Sequence, residues 1–393
     1  ELGIMQAISF VPYYYYSTVY QFFFLLVCWL TTIYYIGSNT QKVLYSEGNP
    51  SQPLAVFLTI VVAFFLGLRP IEGGDFGDTI SYAHHYDLLS NYVPIDFNTE
   101  WLWENLQFFC KKVLGFNSHD FFVLDDVLYF GGMLICCVLL MRKNLWLGML
   151  FFFTGFQTYS FAINGLRNGL ACSMVLVAIA LLTNRTKQFI AIMLMLSALF
   201  IHRSSMLPSA MAIVSLFFLK DTKIALRFWY ASIVLSLFAG PLFEQFFASL
   251  GFDDRMSSYT SAESSSNEIV YSGFRFDFLF YSAFPVWMIW YVTQRRKFTS
   301  PEYSVCANTY LLCNAFWILV IRASFSNRFA YLSWFIYPLV IAYPLMRMNI
   351  WKDQDRKTAI IFFFYTGFTF FMFFVYYFGT TGFRGFDQYW WRG

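Results

Sequence analysis

The residues with the most chemical promise lie at the ends of one apolar hairpin. Arg167 (I-N-G-L-R-N-G-L) opens an apolar run that ends at the basic turn Asn184-Arg185-Thr186-Lys187, and a second run closes at His202-Arg203 (L-F-I-H-R-S-S-M-L). Two helices joined at that turn would return Arg167, His202 and Arg203 to one membrane face. Guanidiniums and an imidazole at a lipid–water boundary suit an anionic, lipid-attached ligand. A helix N-terminus at Arg167 adds its dipole and free N–H groups. The plainer readings are a snorkelling interfacial arginine and a buried structural histidine.

Other candidates face the same side. Arg69 ends an apolar run and opens R-P-I-E-G-G-D-F-G-D-T-I-S-Y, where glycines give backbone freedom beside Asp75, Asp78 and Tyr82, although many ordinary turns look the same. Glu100 and Glu104 of T-E-W-L-W-E-N-L lie one helical turn apart and also fit the solvated face of a short helix. Arg322 and Arg328 (R-A-S-F-S-N-R-F-A-Y) flank a turn between two apolar runs, and Arg275 begins another run. Arginine forks suit bidentate phosphate or carboxylate binding in a poorly hydrated site.

The elements that must position these residues are membrane helices. Of 393 residues 58% are hydrophobic and 12% charged, about half the charged share of a soluble domain. The reading is an all-α polytopic membrane protein forming a single integral membrane domain over residues 1–393. Twelve apolar runs (range 10–12) fall near 18–37, 53–68, 121–141, 145–163, 166–183, 188–202, 204–219, 224–241, 276–294, 303–321, 328–346 and 358–379. His202-Arg203 and Pro208 leave open whether 188–219 is two spans or one broken helix. Residues 1–17 read as an interfacial entry segment.

Alternate loops hold 15 basic and 5 acidic residues, against 11 and 18 on the other face. The positive-inside rule then puts the first set in the cytoplasm and both termini outside. Two long loops, 69–120 and 242–275, face out; the first carries an amphipathic helix over Trp101–Lys112 and the second is rich in serine. All four histidines, and nine arginines among the eleven outer basic residues, are on that face. Any chemistry faces out.

Several classes are disfavoured. No Gly-rich run leads to Lys-Ser/Thr, and neither H-E-x-x-H nor G-x-S-x-G occurs. Asp75 and Asp78 are three apart and do not form an Asp-x-Asp metal pair, so a cytoplasmic nucleotide-sugar donor is disfavoured. The seven cysteines sit mostly within apolar runs and supply no disulfide or zinc framework. No metal site, cofactor or nucleic-acid partner is expected, and the oligomeric state is left open.

These stretches, taken in order, resemble the bacterial O-antigen/exopolysaccharide polymerase family (Wzy-type, EpsG-like branch). The matching pieces are Leu68-Arg69 followed by G-D-T-I-S-Y (Asp78, Tyr82), T-E-W-L-W-E-N-L (Glu100), N-G-L-R-N-G-L-A (Arg167), L-F-I-H-R-S-S-M-L (His202, Ser204) and N-R-F-A-Y-L-S (Arg328). The family's Arg-Gln is here Arg167-Asn168.

The resemblance implies a GT-C-like membrane fold and an inverting, metal-independent glycosyltransferase on the outer face of the bacterial cytoplasmic (inner) membrane. Its substrate would be a polyprenyl-diphosphate-linked oligosaccharide, with the growing chain as donor and a sugar hydroxyl of a fresh lipid-linked unit as acceptor. A chain-length regulator in the same bilayer is the further partner it implies.

On that reading Arg69, Arg167, Arg203, Arg322 and Arg328 would hold the diphosphate. Asp78, Glu100 or His202 would be the base, unranked. Tyr82, Trp101, Asp75 and Arg275 would hold sugars. A flippase for lipid-linked glycans would also want arginine at a diphosphate, but paired repeats in its two halves are not seen. A ligase-type transferase shares the donor chemistry and is poorly separated by sequence. A membrane O-acyltransferase would want a deep histidine reached from the cytoplasmic side.

Overall fold

The computed structural model describes residues 11–37, 51–72, 76–141, 144–249, 274–298, 300–323 and 326–377. Among these there is no strand; sixteen α-helices follow one another. They are α1 (Tyr16–Ile36), α2 (Ser51–Gly67), α3 (Thr79–Leu88), α4 (Trp101–Lys112), α5 (Ser118–Met141), α6 (Leu145–Phe153), α7 (Thr158–Ile163), α8 (Leu166–Leu182) and α9 (Gln188–Ile201). Then come α10 (Met206–Phe217), α11 (Thr222–Ser249), α12 (Phe276–Trp290), α13 (Pro301–Leu319), α14 (Asn327–Trp334), α15 (Tyr337–Arg347) and α16 (Gln354–Tyr377).

Over the described residues every apolar run is helical, but several are broken. The 145–163 run splits at Thr154–Gln157. There the Phe152 carbonyl, which a continuous helix would give to the Phe156 N–H, accepts instead from the Gly155 N–H (2.9 Å) and the Thr158 hydroxyl (2.6 Å). The 328–346 run divides before Pro338, which sits in the first turn of α15 where its missing N–H costs nothing. The 188–219 run breaks at His202, whose backbone is extended (φ −155°, ψ 120°).

Among the described residues, four stretches are long and apolar enough to cross a membrane: Tyr13–Ile36, Ser118–Met141, Asn327–Arg347 and Gln354–Val375. The chain is therefore a helical, polytopic membrane protein, with shorter apolar helices packed among its full-length ones. Residues 327–347 are 94% buried over their most apolar window, so this stretch is enclosed by other helices rather than by lipid.

Polar side chains fasten the enclosed part. Asn314 of α13 donates to the hydroxyls of Ser282 (3.1 Å) and Ser333 (3.0 Å) and accepts from Trp229 Nε1 (2.7 Å). Trp334 Nε1 also donates to Ser282 (2.8 Å). This knot joins α11, α12, α13 and α14 where no water is available to satisfy them.

The antiparallel α8–α9 hairpin packs on α5, and α4 lies across α9 and α5. Asn308 donates to the Leu219 carbonyl (2.7 Å) and Thr309 meets Ser215 (3.5 Å), so the far end of α10 lies beside the first half of α13. Helices α9 and α10 are thus separate elements meeting at His202, not one kinked rod.

Candidate active site

Glu100 is the hub. It stands at the N-terminal edge of α4, and its carboxylate reaches both the start of α8 and the joint between α9 and α10. Oε2 accepts from Arg167 Nη1 at 2.5 Å. Oε1 lies 2.5 Å from His202 Nδ1 and accepts the Arg203 backbone N–H at 3.0 Å. The break at His202 makes this possible: leaving the helix turns the imidazole back toward α4. The Arg203 N–H heads the short 3-10 turn Arg203–Ser205. A helix-start N–H has no partner within its own helix, and here a carboxylate supplies one.

The side chains of Glu100, Arg167 and His202 are 16%, 30% and 28% exposed. Burial alone would raise the Glu100 carboxyl. The His202 hydrogen bond, the charges of His202 and Arg167 and the Arg203 N–H outweigh it and hold the group down at about 2. Glu100 is therefore a fixed anion with both oxygens engaged. With Glu100 ionised, Nδ1 keeps its N–H toward the carboxylate, so Nε2 is the ring nitrogen that can release or take up a proton.

Arg167 is held from a second side. Its guanidinium lies 5.8 Å over the Tyr82 ring. Its Nε is buried with no hydrogen-bond partner among the described residues. Asn168, next in the chain, accepts from the Ser204 hydroxyl at 3.2 Å and ties α8 to the 203–205 turn. Burial raises the Tyr82 phenol above its ordinary range, with Arg167 opposing, so the ring stays neutral beneath the cation.

Asp78 and Tyr82 share one face of α3, a turn apart, with the Tyr82 N–H bonded to the Asp78 carbonyl (2.9 Å). The Asp78 carboxylate is exposed. Its backbone N–H donates to Asn164 Oδ1 at 2.7 Å, just ahead of α8. Gly77 makes that approach possible. Its φ is +54°, and a Cβ there would lie 2.4 Å from Asn164 Oδ1. Trp101 adjoins Glu100, with its ring 5.4 Å from Phe200 and its Nε1 buried without a partner among the described residues.

The structure therefore gathers Glu100, Arg167, His202 and Arg203, with Tyr82, Asp78 and Trp101 around them. Arg69 does not join. It is fully buried and donates to Thr79 Oγ1 (3.1 Å), the carbonyls of Leu66 (2.8 Å) and Ile163 (3.3 Å), and Asp126 Oδ2 (3.5 Å). In this structure Arg69 ties its own helix to α3, α5 and α7, away from the partly exposed cluster in which it was expected to hold a diphosphate.

The remaining arginines lie apart in the chain. Arg275 is paired with Asp277 (2.6 Å) and stacked 3.7 Å over Phe278. Arg322 and Arg328 are exposed, with Arg322 5.9 Å over Phe274. Asp75 lies outside the described residues, as do 1–10 of the entry segment and 250–273 of the second long loop. Glu104, one turn from Glu100, pairs with His85 Nε2 at 2.7 Å. Among the described residues no three His, Cys, Asp or Glu side chains gather as metal ligands would.

Sequence reasoning missed two positioning residues, Asn164 and Asp126. Asp126 carried a signal: Asp125-Asp126 inside an apolar run calls for a buried cation. Asn164 carried none beyond its place before Gly165.

No curated protein and no solved structure matches the chain. Residues 54–389 match the family description EpsG, a span that takes in the whole Glu100–Arg167–His202 cluster, and the chain belongs to the EpsG family.

Proposed function

We propose that the chain is a surface-polysaccharide polymerase. It transfers a polyprenyl-diphosphate-linked glycan chain onto a sugar hydroxyl of another lipid-linked repeat unit, with inversion and without a metal. The reaction takes place at the outer face of the bacterial cytoplasmic membrane, in a GT-C-like helical frame. Membership of the EpsG family supports polysaccharide polymerisation. The observation that carries the mechanism is the Glu100 carboxylate bonded to both His202 Nδ1 and Arg167.

In this reading His202 Nε2 takes the proton of the acceptor hydroxyl. Glu100 fixes the tautomer and balances the imidazolium that forms. The hydroxyl oxygen attacks the anomeric carbon from the face opposite the diphosphate. The new C–O bond forms as the bond to the diphosphate oxygen breaks, and the lipid diphosphate leaves with the electron pair. Charge growing on that oxygen meets the N–H groups of Arg167 not used by Glu100, while the exposed Arg203 holds the diphosphate of the bound substrate. Arg322 and Arg328 are further candidates for the diphosphate. Asp78, Tyr82, Trp101, Asp75 and Arg275 would contact sugars.

The depth of the site favours the reaction. Fourteen residues of α9 rise about 21 Å, whereas the hydrocarbon core is about 30 Å thick. If the 184–187 turn lies at the cytoplasmic surface, His202 is recessed below the outer one, where charge–charge interactions are strong.

The test uses purified protein in nanodiscs with lipid-diphosphate-linked repeat units and neither nucleotide sugar nor added metal. A product ladder that disappears in His202→Ala and Arg167→Ala is expected. Unconsumed authentic substrate would overturn the proposal, and its passage between liposome leaflets would make the protein a transporter instead.

A further inference from the structure

Directly beneath the Glu100 cluster is a cavity of about 570 Å³ between α4, α5, α8 and α9. Its volume lies within the roughly 300–1,000 Å³ typical of small-molecule pockets. Three residues at one end adjoin the cluster. Ile201 precedes His202, Leu102 follows Trp101, and Leu170 lies one turn along α8 from Arg167. From there the cavity follows α5 past Gly131 to Ile135, and α8 to Val177. Val127 to Ile135 is eight residues, a rise of about 12 Å.

The lining asks for nothing polar. Ser173 is its single hydroxyl, and that hydroxyl donates to the Leu170 carbonyl at 2.9 Å. Gly131 widens the groove: a Cβ built there meets no atom within 4 Å. A ligand filling this space is apolar over about 12 Å, and an anionic head at the Leu102–Leu170–Ile201 end would lie next to the segments that carry Arg167 and Arg203.

We propose that the groove holds the first isoprenoid units of the lipid tail of a polyprenyl-diphosphate-linked substrate. The diphosphate would sit at the rim formed by Arg167 and Arg203. This assignment rests on the lipid-diphosphate chemistry proposed above and adds the place on this chain where the lipid is gripped. Charge complementarity at the rim selects this occupant over a neutral lipid. The groove also aligns the ligand: a tail held between α5 and α8 delivers its diphosphate to the N-terminus of α8.

The experiment is photolabelling of the full chain in phosphatidylglycerol-containing nanodiscs. The probe is a sugar-free polyprenyl diphosphate bearing a diazirine in its second isoprene unit, and labelled peptides are mapped. Labelling within 127–135, 170–177 and 194–201 is expected. It should be competed by unlabelled polyprenyl diphosphate and not by added phosphatidylglycerol. Gly131→Phe, which points a ring into open groove, should cut that labelling about tenfold. Ile135→Trp at the far end should lower it for a long-tailed probe and not for a geranyl one.

Labels falling elsewhere, or equal competition by phosphatidylglycerol, would overturn the assignment and leave the groove to bilayer lipid. Glycan transfer does not enter the readout. A groove that labels in a protein that makes no polymer therefore sinks only the polymerase reading, and a polymer made without groove labelling sinks only this one.

Discussion

His202 Nδ1 lies 2.5 Å from Glu100 Oε1, although 102 residues separate the two in the chain. The contact needs the extended backbone of His202 and the placement of α4 across the end of α9. With Arg167 on the other oxygen, the carboxylate is a structural anion that orients the imidazole. Glu100→Gln keeps the shape and removes the charge. It also presents an amide N–H₂ to groups that are themselves donors. Polymer formation should fall by about 10²–10⁴-fold, as when a triad carboxylate is neutralised. Glu104→Gln, one turn away and bonded to His85, should leave the rate within about twofold. Equal losses in the two variants would remove Glu100 from its positioning role.

The same carboxylate makes stability depend on acid. Its folded pKa of about 2 lies below the ordinary 4.5. Its contribution is therefore complete above pH 4.5 and is lost as pH falls toward 2. The full contribution is on the order of 3 kcal/mol. Melting temperatures of wild type and Glu100→Gln in detergent should converge as the medium is acidified from about pH 5 toward 2. A gap that widened on acidification would contradict the pairing.

Arg69 offers a contrast between clamp and ligand. Its bonds run to four acceptors on four helices, α2, α3, α5 and α7, with Phe122 stacked 4.8 Å from the guanidinium. Removing either charge leaves the other buried and unpaired, at a cost of about 3–5 kcal/mol. Arg69→Met and Asp126→Leu should each melt early, and the double substitution should recover much of the loss. Arg69→Lys should not rescue, because one ammonium cannot reach acceptors arranged for a planar fork. A well-folded Arg69→Met protein that fails only at the transfer step would return Arg69 to the substrate site.

Much of the helical layout was legible in the sequence. Long apolar runs and basic loops marked the elements, and the α4 boundaries at Trp101 and Lys112 follow from its alternation of apolar and polar faces. The breaks were harder. Hydropathy averages over Thr154–Gln157 and over Phe335–Ile336, where hydroxyl-to-carbonyl bonds and Pro338 decide the path. In the candidate site, residue types were readable and pairings were not. Spacing could bring Arg167 and His202 to one face through the hairpin, but nothing in the spacing of Glu100 from His202 encodes their contact. The burial of Arg69 was not legible, because it stands at the end of an apolar run and its partner Asp126 lies inside the next long helix.

Gly77 and Asn164 set the position of α3, and with it Asp78 and Tyr82. Alanine at Gly77 must adopt φ +54° and meet Asn164 Oδ1 at 2.4 Å, a strain of about 1–3 kcal/mol. The expected result of Gly77→Ala is a loss of transfer rate beyond its effect on melting, because the Tyr82 ring shifts from beneath Arg167. Asn164→Ala removes the clash and the bond to the Asp78 N–H together. The double variant keeps only the strain of φ +54° at residue 77, so its loss should be less than the sum of the two single losses, and strictly additive losses would mean that the two residues act separately.

Arg167→Lys separates charge from geometry. An ammonium can still face Glu100, so the Glu100–His202 pair and the melting temperature should hold. What it loses is the second row of N–H groups, including the buried Nε that has no partner among the described residues. If those groups receive the departing diphosphate, the transfer rate should drop by about 10²–10³-fold, with apparent substrate affinity falling less. Arg203→Ala keeps the backbone N–H that Glu100 accepts, and should instead weaken substrate binding with little change in the maximal rate. Steady-state measurements on both variants check the division of labour. A lysine variant with full activity would reduce Arg167 to a counter-ion for Glu100.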